Sequence, residues 1–299
     1  AEATADELVA ALASPNACWR ETAQRLLVER GERSVEKQLI ELATAGGTPQ
    51  ARLHALYTLD GLSALTPQTV RQALGDEHFA VRTHALVLSE RWLQQDAGLF
   101  ETVAALADDP HPRVRLQAAL TLGQARSPVA AAALAKLAAA SEGDTWLQAA
   151  ILSSAAETAA DLLVEVVRRA EGGSAVPSLL RSLVSIVGAR HRNDEISRAL
   201  AAVEAAKGTV AAKLQSACLA GLAEGLNRGK PEVLTNADGQ RSLRTLLANS
   251  DGDVRQLAFQ VAKLVRLQEA PEMKAALEAA AKTALDDDRP LPDRVAAVA

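Results

Sequence analysis

The chain has 299 residues, a formal net charge of −5 and only 2% aromatic residues, whereas alanine, leucine and valine dominate its composition. Such a composition suits closely packed helix pairs and leaves little material for a β-sandwich. Asp and Glu number 18 against 13 Lys and Arg in residues 1–150, and 19 against 19 in the rest, so neither half is basic. Nucleic acid is therefore not an expected partner, and no apolar run is long enough to predict membrane insertion.

Apolar residues at helical spacing predict a succession of helix pairs along the chain. The first five pairs are separated by turns that contain Gly, Pro, Asp or Asn, and they cover residues 7–12 with 19–30, 34–45 with 52–62, 66–74 with 81–93, 99–107 with 114–122, and 129–140 with 145–155. Helices without the Asp-Pro turn follow at 156–170, 176–187, 194–206 and 209–226. The last two predicted pairs are 240–248 with 253–267 and 271–285 with 293–299.

The helix pairs predict a single domain over residues 1–299. Its repeats are expected to be regular in 1–155, less regular in 156–240 and regular again in 241–299. The final predicted helix is apolar and lacks the polar outer face that a terminal repeat needs for solubility. We therefore expect the chain to be a piece of a longer protein.

The repeating unit is clearest in residues 107–123, where two acids and two prolines stop one helix before a second begins. Val114, Ala118 and Leu122 follow at i, i+4 and i+8, which places an apolar stripe on one face of the second helix. The signature is an Arg followed three residues later by a small residue. Successive copies are about 30 to 34 residues apart over most of the chain and about 40 residues apart for the last two. It recurs at Arg20, Arg52, Arg82, Arg115, Arg255 and Arg294, with weaker copies at Leu147, Arg181 and Leu214. These copies predict an all-α fold, an α–α superhelix of about nine hairpins whose turn resembles that of HEAT repeats.

Each part of the signature has an expected mechanical role. The small residue lets adjacent helices approach closely, and the Asp or Asn before it is expected to cap the second helix. The Arg is expected to cross the repeat boundary to a carboxylate or carbonyl group of the neighbouring repeat. A structural ladder is the favoured interpretation for these arginines, and ligand contact is the alternative; the set is Arg20, Arg52, Arg82, Arg115 and Arg255.

A file of polar residues lies two positions after the signature Arg. It consists of Thr22, His54, His84 and Gln117, and we call it the polar file. Stacked repeats place equivalent positions about one helix layer apart, so the polar file is predicted to run beside Arg52, Arg82 and Arg115. Hydrogen bonding between repeats or a solvated helix face is one interpretation. A groove for an extended partner segment is the other, and it makes these residues the candidate binding residues.

No residue pattern indicates catalysis. None of the five histidines has a second His or Cys at metal-ligand spacing, so neither a metal site nor a catalytic residue is predicted. Cys18 and Cys218 lie in different repeats, too far apart to form a disulfide, and each is predicted to be a small buried apolar side chain. Trp19 and Trp146 are predicted to be packing residues, whereas Trp92 is expected to be partly exposed.

Three stretches extend the resemblance beyond a generic HEAT turn: residues 12–31, residues 51–62, and Asp144-Thr145-Trp146 with residues 149–154. Together they resemble the HEAT section of large exported proteins of planctomycetes and their relatives. In that family a β-propeller similar to sugar dehydrogenases typically precedes the HEAT section, and a c-type cytochrome domain with a Cys-x-x-Cys-His motif typically follows. This chain has no such motif, and Cys18 stands where the family usually has another residue type. The resemblance thus implies a periplasmic or otherwise exported location, no cofactor in this chain, and c-type haem in a flanking domain only.

Two functions are compatible with these observations. The first is a non-catalytic scaffold or protein-interaction module that links or docks the domains of a larger exported redox protein. The second is the wall of an active site shared with a flanking dehydrogenase propeller or haem domain. A HEAT-like nucleic-acid repair enzyme is disfavoured because no basic face is present.

Overall fold

The structure, a computed structural model, describes residues 3–125, 127–170, 177–207, 211–230, 233–267, 278, 281–286, 290 and 294. Within these residues every regular element is helical and no strand occurs, which confirms the predicted all-α fold. The chain divides into two compact units, Ala1–Ala133 and Leu134–Ala299. Each unit is built from helical hairpins of the α-solenoid type.

Unit 1 alternates first and second helices of successive hairpins. In order they are α1 (Ala5–Ala11), α2 (Ala17–Glu29), α3 (Glu36–Ala45), α4 (Pro49–Gly61), α5 (Pro67–Leu74), α6 (Phe79–Ser89), α7 (Ala97–Ala105) and α8 (Pro112–Leu122), and the unit ends inside α9 (Pro128–Ala139). The second helices α2, α4, α6 and α8 pack against one another in order, and the first helices α3, α5 and α7 do the same. Each hairpin thus buries its apolar stripe against its neighbours, as a repeat array requires.

Unit 2 has the same alternation. Its helices after α9 are α10 (Thr145–Ser154), α11 (Ala159–Ala170), α12 (Pro177–Ala189), α13 (Asn193–Ala205), α14 (Ala211–Leu226), α15 (Ala237–Leu247) and α16 (Gly252–Leu264). The second helices α10, α12, α14 and α16 pack in order, and so do the first helices α11, α13 and α15. The predicted last pair, 271–285 with 293–299, lies outside the described residues except at a few positions.

Several helix ends differ from the predicted ones because turn chemistry overrides the apolar pattern. Helix α4 begins at Pro49, three residues before its predicted start, because proline suits the first helical position and Thr48 accepts the N–H of Ala51 at 3.3 Å. Helix α6 ends at Ser89, and the residues up to Trp92 form a 3₁₀ turn instead of continuing the α-helix to residue 93.

Histidines, not the turn aspartates, cap α6 and α8. Nδ1 of His78 accepts the N–H of Ala80 at 3.2 Å, while Asp76 accepts the N–H of His78 itself at 2.8 Å. Helix α8 has the same arrangement. Nδ1 of His111 accepts the N–H of Arg113 at 3.3 Å, and Asp109 accepts the N–H of His111 at 2.8 Å. The prediction of an Asp or Asn cap is therefore wrong at these two helices, and it is confirmed at the helices capped by Asn16, Asp144 and Asp251.

The signature residues that face the interior are buried as predicted. Val81, Val114 and Val254 have no exposed surface. The small residues of the signature allow close packing, and those with at most 1% exposure are Ala23, Ala55, Ala85, Ala118 and Ala258. Burial of an apolar side chain contributes about 1.5 to 3 kcal/mol for a valine or larger residue, so the recurring stripe holds each hairpin to the next.

Helices α12 and α14 approach closely enough that glycine is required between them. A Cβ atom at Gly221 would lie 2.1 Å from the carbonyl oxygen of Arg181, and one at Gly225 would lie 2.2 Å from that of Ser185. A Cβ atom at Gly188 on α12 would likewise lie 2.7 Å from the carbonyl oxygen of Leu222 on α14. Backbone therefore packs on backbone here, where unit 1 uses alanine.

Candidate functional site

Arginines and aspartates alternate along successive turns of unit 1 and form what we call the arginine ladder. Its members are Arg52, Asp76, Arg82, Asp109 and Arg115. Arg52 contacts Asp76 of the next hairpin turn through Nε at 2.7 Å and Nη2 at 2.9 Å. Arg82 contacts Asp109 through the same two nitrogens, and here both contacts are hydrogen bonds, at 2.7 Å and 2.8 Å. Paired N–H groups on both carboxylate oxygens give the strongest and most directional form of this interaction. The predicted crossing of the repeat boundary is confirmed for these two arginines.

Each ladder arginine also ties down its own turn. Nη1 of Arg82 donates to the carbonyl oxygens of Asp76 at 2.8 Å and Glu77 at 3.1 Å. The final member, Arg115, donates in the same way to the carbonyl oxygens of Asp109 and Pro110, at 2.9 Å and 3.1 Å. Asp109 thus accepts hydrogen bonds from two repeats: its carboxylate accepts from Arg82 of the preceding repeat, and its carbonyl oxygen accepts from Arg115 of its own repeat.

The charges of the ladder are held in place by burial and pairing. Asp109 is 6% exposed. Burial alone raises the pKa of Asp109, but the hydrogen bonds from Arg82 and from the N–H of His111 outweigh it, so the pKa lies below its ordinary value. The same hydrogen bond raises the pKa of Arg82. The ladder therefore occupies its guanidinium groups internally, which favours the structural interpretation of these arginines.

Two arginines outside the ladder, Arg20 and Arg255, donate to carbonyl oxygens of their own turns. Arg20 donates to the carbonyl oxygens of Ser14 and Pro15 at 2.8 Å and 3.0 Å. Arg255 donates to those of Asn249 and Ser250, both at 2.8 Å. The prediction that the signature Arg crosses to the neighbouring repeat is wrong for Arg20 and Arg115, because their donated bonds end within the turn that precedes their own helix. For Arg255 it stays a prediction, because the repeat that follows lies largely outside the described residues.

At one turn of unit 2, a pair of amide side chains takes the place of the arginine–aspartate pair of unit 1. Asn249 Nδ2 donates to Oε1 of Gln215 at 3.2 Å. Oδ1 of Asn249 accepts the N–H of Asp251 at 2.9 Å, just as the carboxylate of Asp76 accepts the N–H of His78 in unit 1. Gln215 follows the buried Leu214, as Arg115 follows the buried Val114. The weak signature copy in α14 is therefore centred on Gln215, one residue after the predicted Leu214.

The polar file contributes hydrogen bonds between neighbouring second helices. His54 Nδ1 donates to Oε1 of Gln24 on α2 at 2.6 Å, because an amide oxygen can only accept. His84 Nδ1 is 2.8 Å from the hydroxyl oxygen of Tyr57 on α4, and the two rings meet edge-on. Gln117 bonds within α8 to Thr121, whose hydroxyl donates to Glu90 at 2.9 Å. Thr22 is half-buried on α2.

Burial favours the neutral form of both histidines in the polar file. Burial lowers the pKa of His54, and the positive charge of Arg20 lowers it further, while Glu21 partly opposes both. Burial also lowers the pKa of His84. Hydrogen bonding between repeats therefore accounts for these two members of the polar file, and ligand binding by the file stays a prediction.

A second file, which the sequence analysis missed, is apolar and faces solvent. Tyr57, Val87 and Leu120 stand five residues after Arg52, Arg82 and Arg115, and we call them the apolar file. Val87 is 41% exposed and Leu120 is 39% exposed, while Tyr57 is half-buried. Beside Tyr57, an open groove of about 340 Å³ runs between α2 and α4. The sequence carries a signal for these residues: an apolar residue recurs five positions after the signature Arg in three successive repeats. That position is not part of the apolar stripe that packs into the interior.

Carboxylates gather at the carboxyl ends of the second helices. Glu29 ends α2, Asp60 lies near the end of α4 and Glu90 follows α6; together they form what we call the acidic edge. Arg25 pairs with Glu29 at 2.9 Å and Arg91 with Asp60 at 2.7 Å. None of the second helices of unit 1 has a basic residue in its last turn. Acids at these ends add to the negative end of the helix dipole instead of opposing it.

An aromatic stack joins two hairpin turns. Phe79 lies between His78 and His111, with ring centroids 4.8 Å and 3.8 Å apart, and the ring of His111 is nearly parallel to that of Phe79. Because His78 and His111 also cap their helices, their rings are held by both contacts. The stack stabilises the seam between α6 and α8 beside the arginine ladder.

The predictions for three single side chains are wrong. Trp19 is 62% exposed and Trp146 is 79% exposed, so neither is a packing residue. Cys18 is exposed too, while Cys218 is buried as predicted and burial raises its pKa to about 12. All three exposed side chains lie in the first turn of a helix, where the chain leaves the turn and no neighbouring helix covers the outward positions. Trp92 is partly exposed, as predicted.

The described part of the chain contains no group of three or more His, Cys, Asp or Glu placed to hold a metal ion. No helix in that part has the length and apolarity needed to cross a bilayer.

Comparison with known proteins identifies part of the chain. A family model of HEAT repeats matches residues 66–155, which include the helices α5 to α10. No match is found among curated proteins. Among solved structures, the crystal structure of an engineered protein is 16% identical, with 98% of this chain and 86% of that chain covered and a TM-score of 0.33, a likeness too low to carry an argument. The chain therefore contains a HEAT-repeat section at residues 66–155.

Proposed function

We propose that this chain is a non-catalytic scaffold that binds other protein segments through the second helices of unit 1. The observation that carries the proposal is the apolar file: Val87 and Leu120, at equivalent positions of successive repeats, are 41% and 39% exposed. A purely solvated helix face carries polar residues at such positions. HEAT repeats commonly use an extended repeat surface for protein interaction.

The arginine ladder supports this function because it makes the binding surface rigid. Its ion pairs join α4 to the turn before α6, and α6 to the turn before α8. A preorganised surface loses less conformational entropy when a partner binds. The ladder thereby fixes the spacing of the side chains that a partner would contact.

The parent protein is proposed from family resemblance alone. In this proposal the chain links or docks the domains of a larger exported redox protein of the planctomycete type, in the periplasm or another exported location. A propeller dehydrogenase and a c-type cytochrome domain would flank it, and all haem would belong to the latter. The alternative, in which this chain forms one wall of a shared active site, predicts that a flanking enzyme loses activity without it.

The test is to titrate the polypeptides encoded on either side of the chain into the full chain, using isothermal titration calorimetry. Binding is expected to weaken at least about tenfold in a Val87→Glu/Leu120→Glu variant, since a buried unpaired charge is costly. Val129→Glu is the matched control, because Val129 is 46% exposed but lies on α9. Absence of binding to any flanking polypeptide, or equal loss in the control, would contradict the proposal. Visible absorption and dehydrogenase assays on the chain alone should be blank.

A further inference from the structure

The histidine caps of α6 and α8 depend on the protonation of their rings. Nδ1 of His78 accepts the N–H of Ala80, and Nδ1 of His111 accepts the N–H of Arg113. A ring nitrogen that accepts a hydrogen bond must keep its lone pair, so the single proton of the neutral imidazole lies on Nε2 in both rings. Each cap therefore exists only while its histidine is neutral.

The caps of the other second helices do not share this dependence. Where the cap is described, the accepting atom is a side-chain oxygen, and the capping residues are Asn16 in α2, Thr48 in α4, Asp144 in α10 and Asp251 in α16. Amide and hydroxyl groups do not change charge in mild acid, whereas histidine is the side chain whose charge ordinarily changes between pH 5 and 8. Mild acid is therefore expected to remove the caps of α6 and α8 and to leave the other described caps in place.

The charges beside the two rings are balanced. Asp76 is paired with Arg52, and Asp109 is paired with Arg82. The charged side chains in the two turns and at the adjoining ends of α4, α6 and α8 are four acids and four bases: Asp76, Glu77, Asp108, Asp109, Arg52, Arg82, Arg113 and Arg115. This set has no net charge that would stabilise an imidazolium ion.

The position of the rings also opposes a second proton. Each ring lies at the amino terminus of a helix, where the positive end of the helix dipole disfavours a cation. The neighbouring first helices α5 and α7 carry Arg71, which pairs with Asp96, and Glu101, which is exposed and screened by solvent. Protonation thus breaks a cap without forming a compensating ion pair.

Phe79 connects the two caps. Its ring lies between those of His78 and His111, with centroid separations of 4.8 Å and 3.8 Å. The N–H of His111 is held by Asp109, which is also the carboxylate that pairs with Arg82 of the preceding hairpin. Both caps, the aromatic stack and this ion pair therefore belong to one seam, and loss of the caps acts on that seam from both helices.

We infer that the seam between α6 and α8 is an acid-sensitive switch. A second proton on His78 and on His111 removes both caps, frays the first turns of α6 and α8, and loosens this seam while the helices with oxygen caps stay closed. The switch is built into the fold and needs no partner, so it goes beyond the proposed scaffold function and does not depend on it.

The test is hydrogen–deuterium exchange of the full chain at pH 7.5 and 5.0, resolved by mass spectrometry and divided by the intrinsic exchange rate at each pH. Loss of a typical N-cap changes a local opening equilibrium about fivefold. Peptides covering residues 78–85 and 111–118 are expected to lose protection at least about fivefold at pH 5.0. The peptide covering residues 16–23, whose helix is capped by Asn16, is expected to keep its protection. Equal loss in all three peptides, or no loss in the first two, would overturn the switch.

His78→Asn/His111→Asn is the decisive variant, because asparagine offers a side-chain oxygen to the same N–H groups and does not titrate. It is expected to keep the protection of residues 78–85 and 111–118 at both pH values. Phe79→Leu is the matched control: it removes the stack, keeps both histidine caps and is expected to retain the loss of protection in acid. If the double variant loses protection as the unsubstituted chain does, histidine protonation is not the cause and the inference is wrong.

The ring nitrogens provide an independent measurement that does not require the double variant to fold. Nitrogen-15 NMR distinguishes the two neutral tautomers, and the caps require a proton on Nε2 alone in both His78 and His111 at pH 7.5. The single variants His78→Asn and His111→Asn assign the two rings. A proton on Nδ1 of either ring at pH 7.5 would exclude the cap at that helix and, with it, the switch.

Discussion

Arg82 and Asp109 form a two-pronged ion pair between successive hairpins, with both carboxylate oxygens within 2.8 Å of guanidinium nitrogens. The carboxylate is 6% exposed and also accepts the N–H of His111. A single interaction thus joins one repeat, the next turn and the cap of the following helix. Interactions of this kind decide how rigidly the repeats are held.

Removing one partner of this pair should be strongly destabilising. Asp109→Ala leaves the guanidinium of Arg82 without its carboxylate, and we expect a loss of about 3 kcal/mol or more in the free energy of unfolding. Asp109→Asn keeps one acceptor and should lose less. Urea denaturation measures both, with the exposed Glu101→Ala as the control. A loss in Asp109→Ala no greater than in the control would show that the ladder adds little stability.

The α12–α14 contact should not tolerate a methyl group. Gly225→Ala places a Cβ 2.2 Å from the backbone oxygen of Ser185, so the helices must separate, at a cost of about 1 to 3 kcal/mol or more. Gly252→Ala is the matched control, because its Cβ would meet nothing closer than Arg255 Nη2 at 3.8 Å. We expect the control to be neutral or slightly stabilising. Equal thermal midpoints for both variants would contradict the backbone contact.

Acidification should destabilise the polar file. The pKa of His54 and of His84 is lowered by burial, so the unfolded chain binds protons more readily than the folded chain. Their stabilising contribution is complete above about pH 6.5 and is lost as the pH falls toward the lowered pKa values. A His54→Gln/His84→Gln variant should show a smaller fall in urea midpoint between pH 7.5 and 5. The same fall in both proteins would rule out these histidines as its source.

The two cysteines should differ in reactivity. Cys18 is exposed, whereas Cys218 is buried and its pKa is raised to about 12. We expect a chromogenic disulfide reagent to titrate one thiol in the native protein and two in denaturant. Cys18→Ser should abolish the native reaction. Rapid modification of native Cys218 would mean that α14 opens readily from its neighbours.

The sequence alone determined the repeat. Burial of an apolar stripe needs a fixed helical period, and a signature repeated along the chain gives that period without knowledge of any contact. This is why the all-α fold, the helix pairs up to α16 and the buried positions Val81, Val114 and Val254 are confirmed within the described residues. The recurring Arg also predicted the ion pairs of Arg52 and Arg82.

Only the tertiary structure decided which part of each helix a neighbour covers. A local pattern places Trp19 on a helix face, but its exposure depends on whether another helix lies opposite. The same is true of the apolar file: Val87 and Leu120 are apolar in sequence, and only the packing of α4, α6 and α8 leaves them in contact with water. Hydrogen bonds such as those of His54 with Gln24 join residues far apart in the chain, because stacking, not sequence distance, sets which atoms meet.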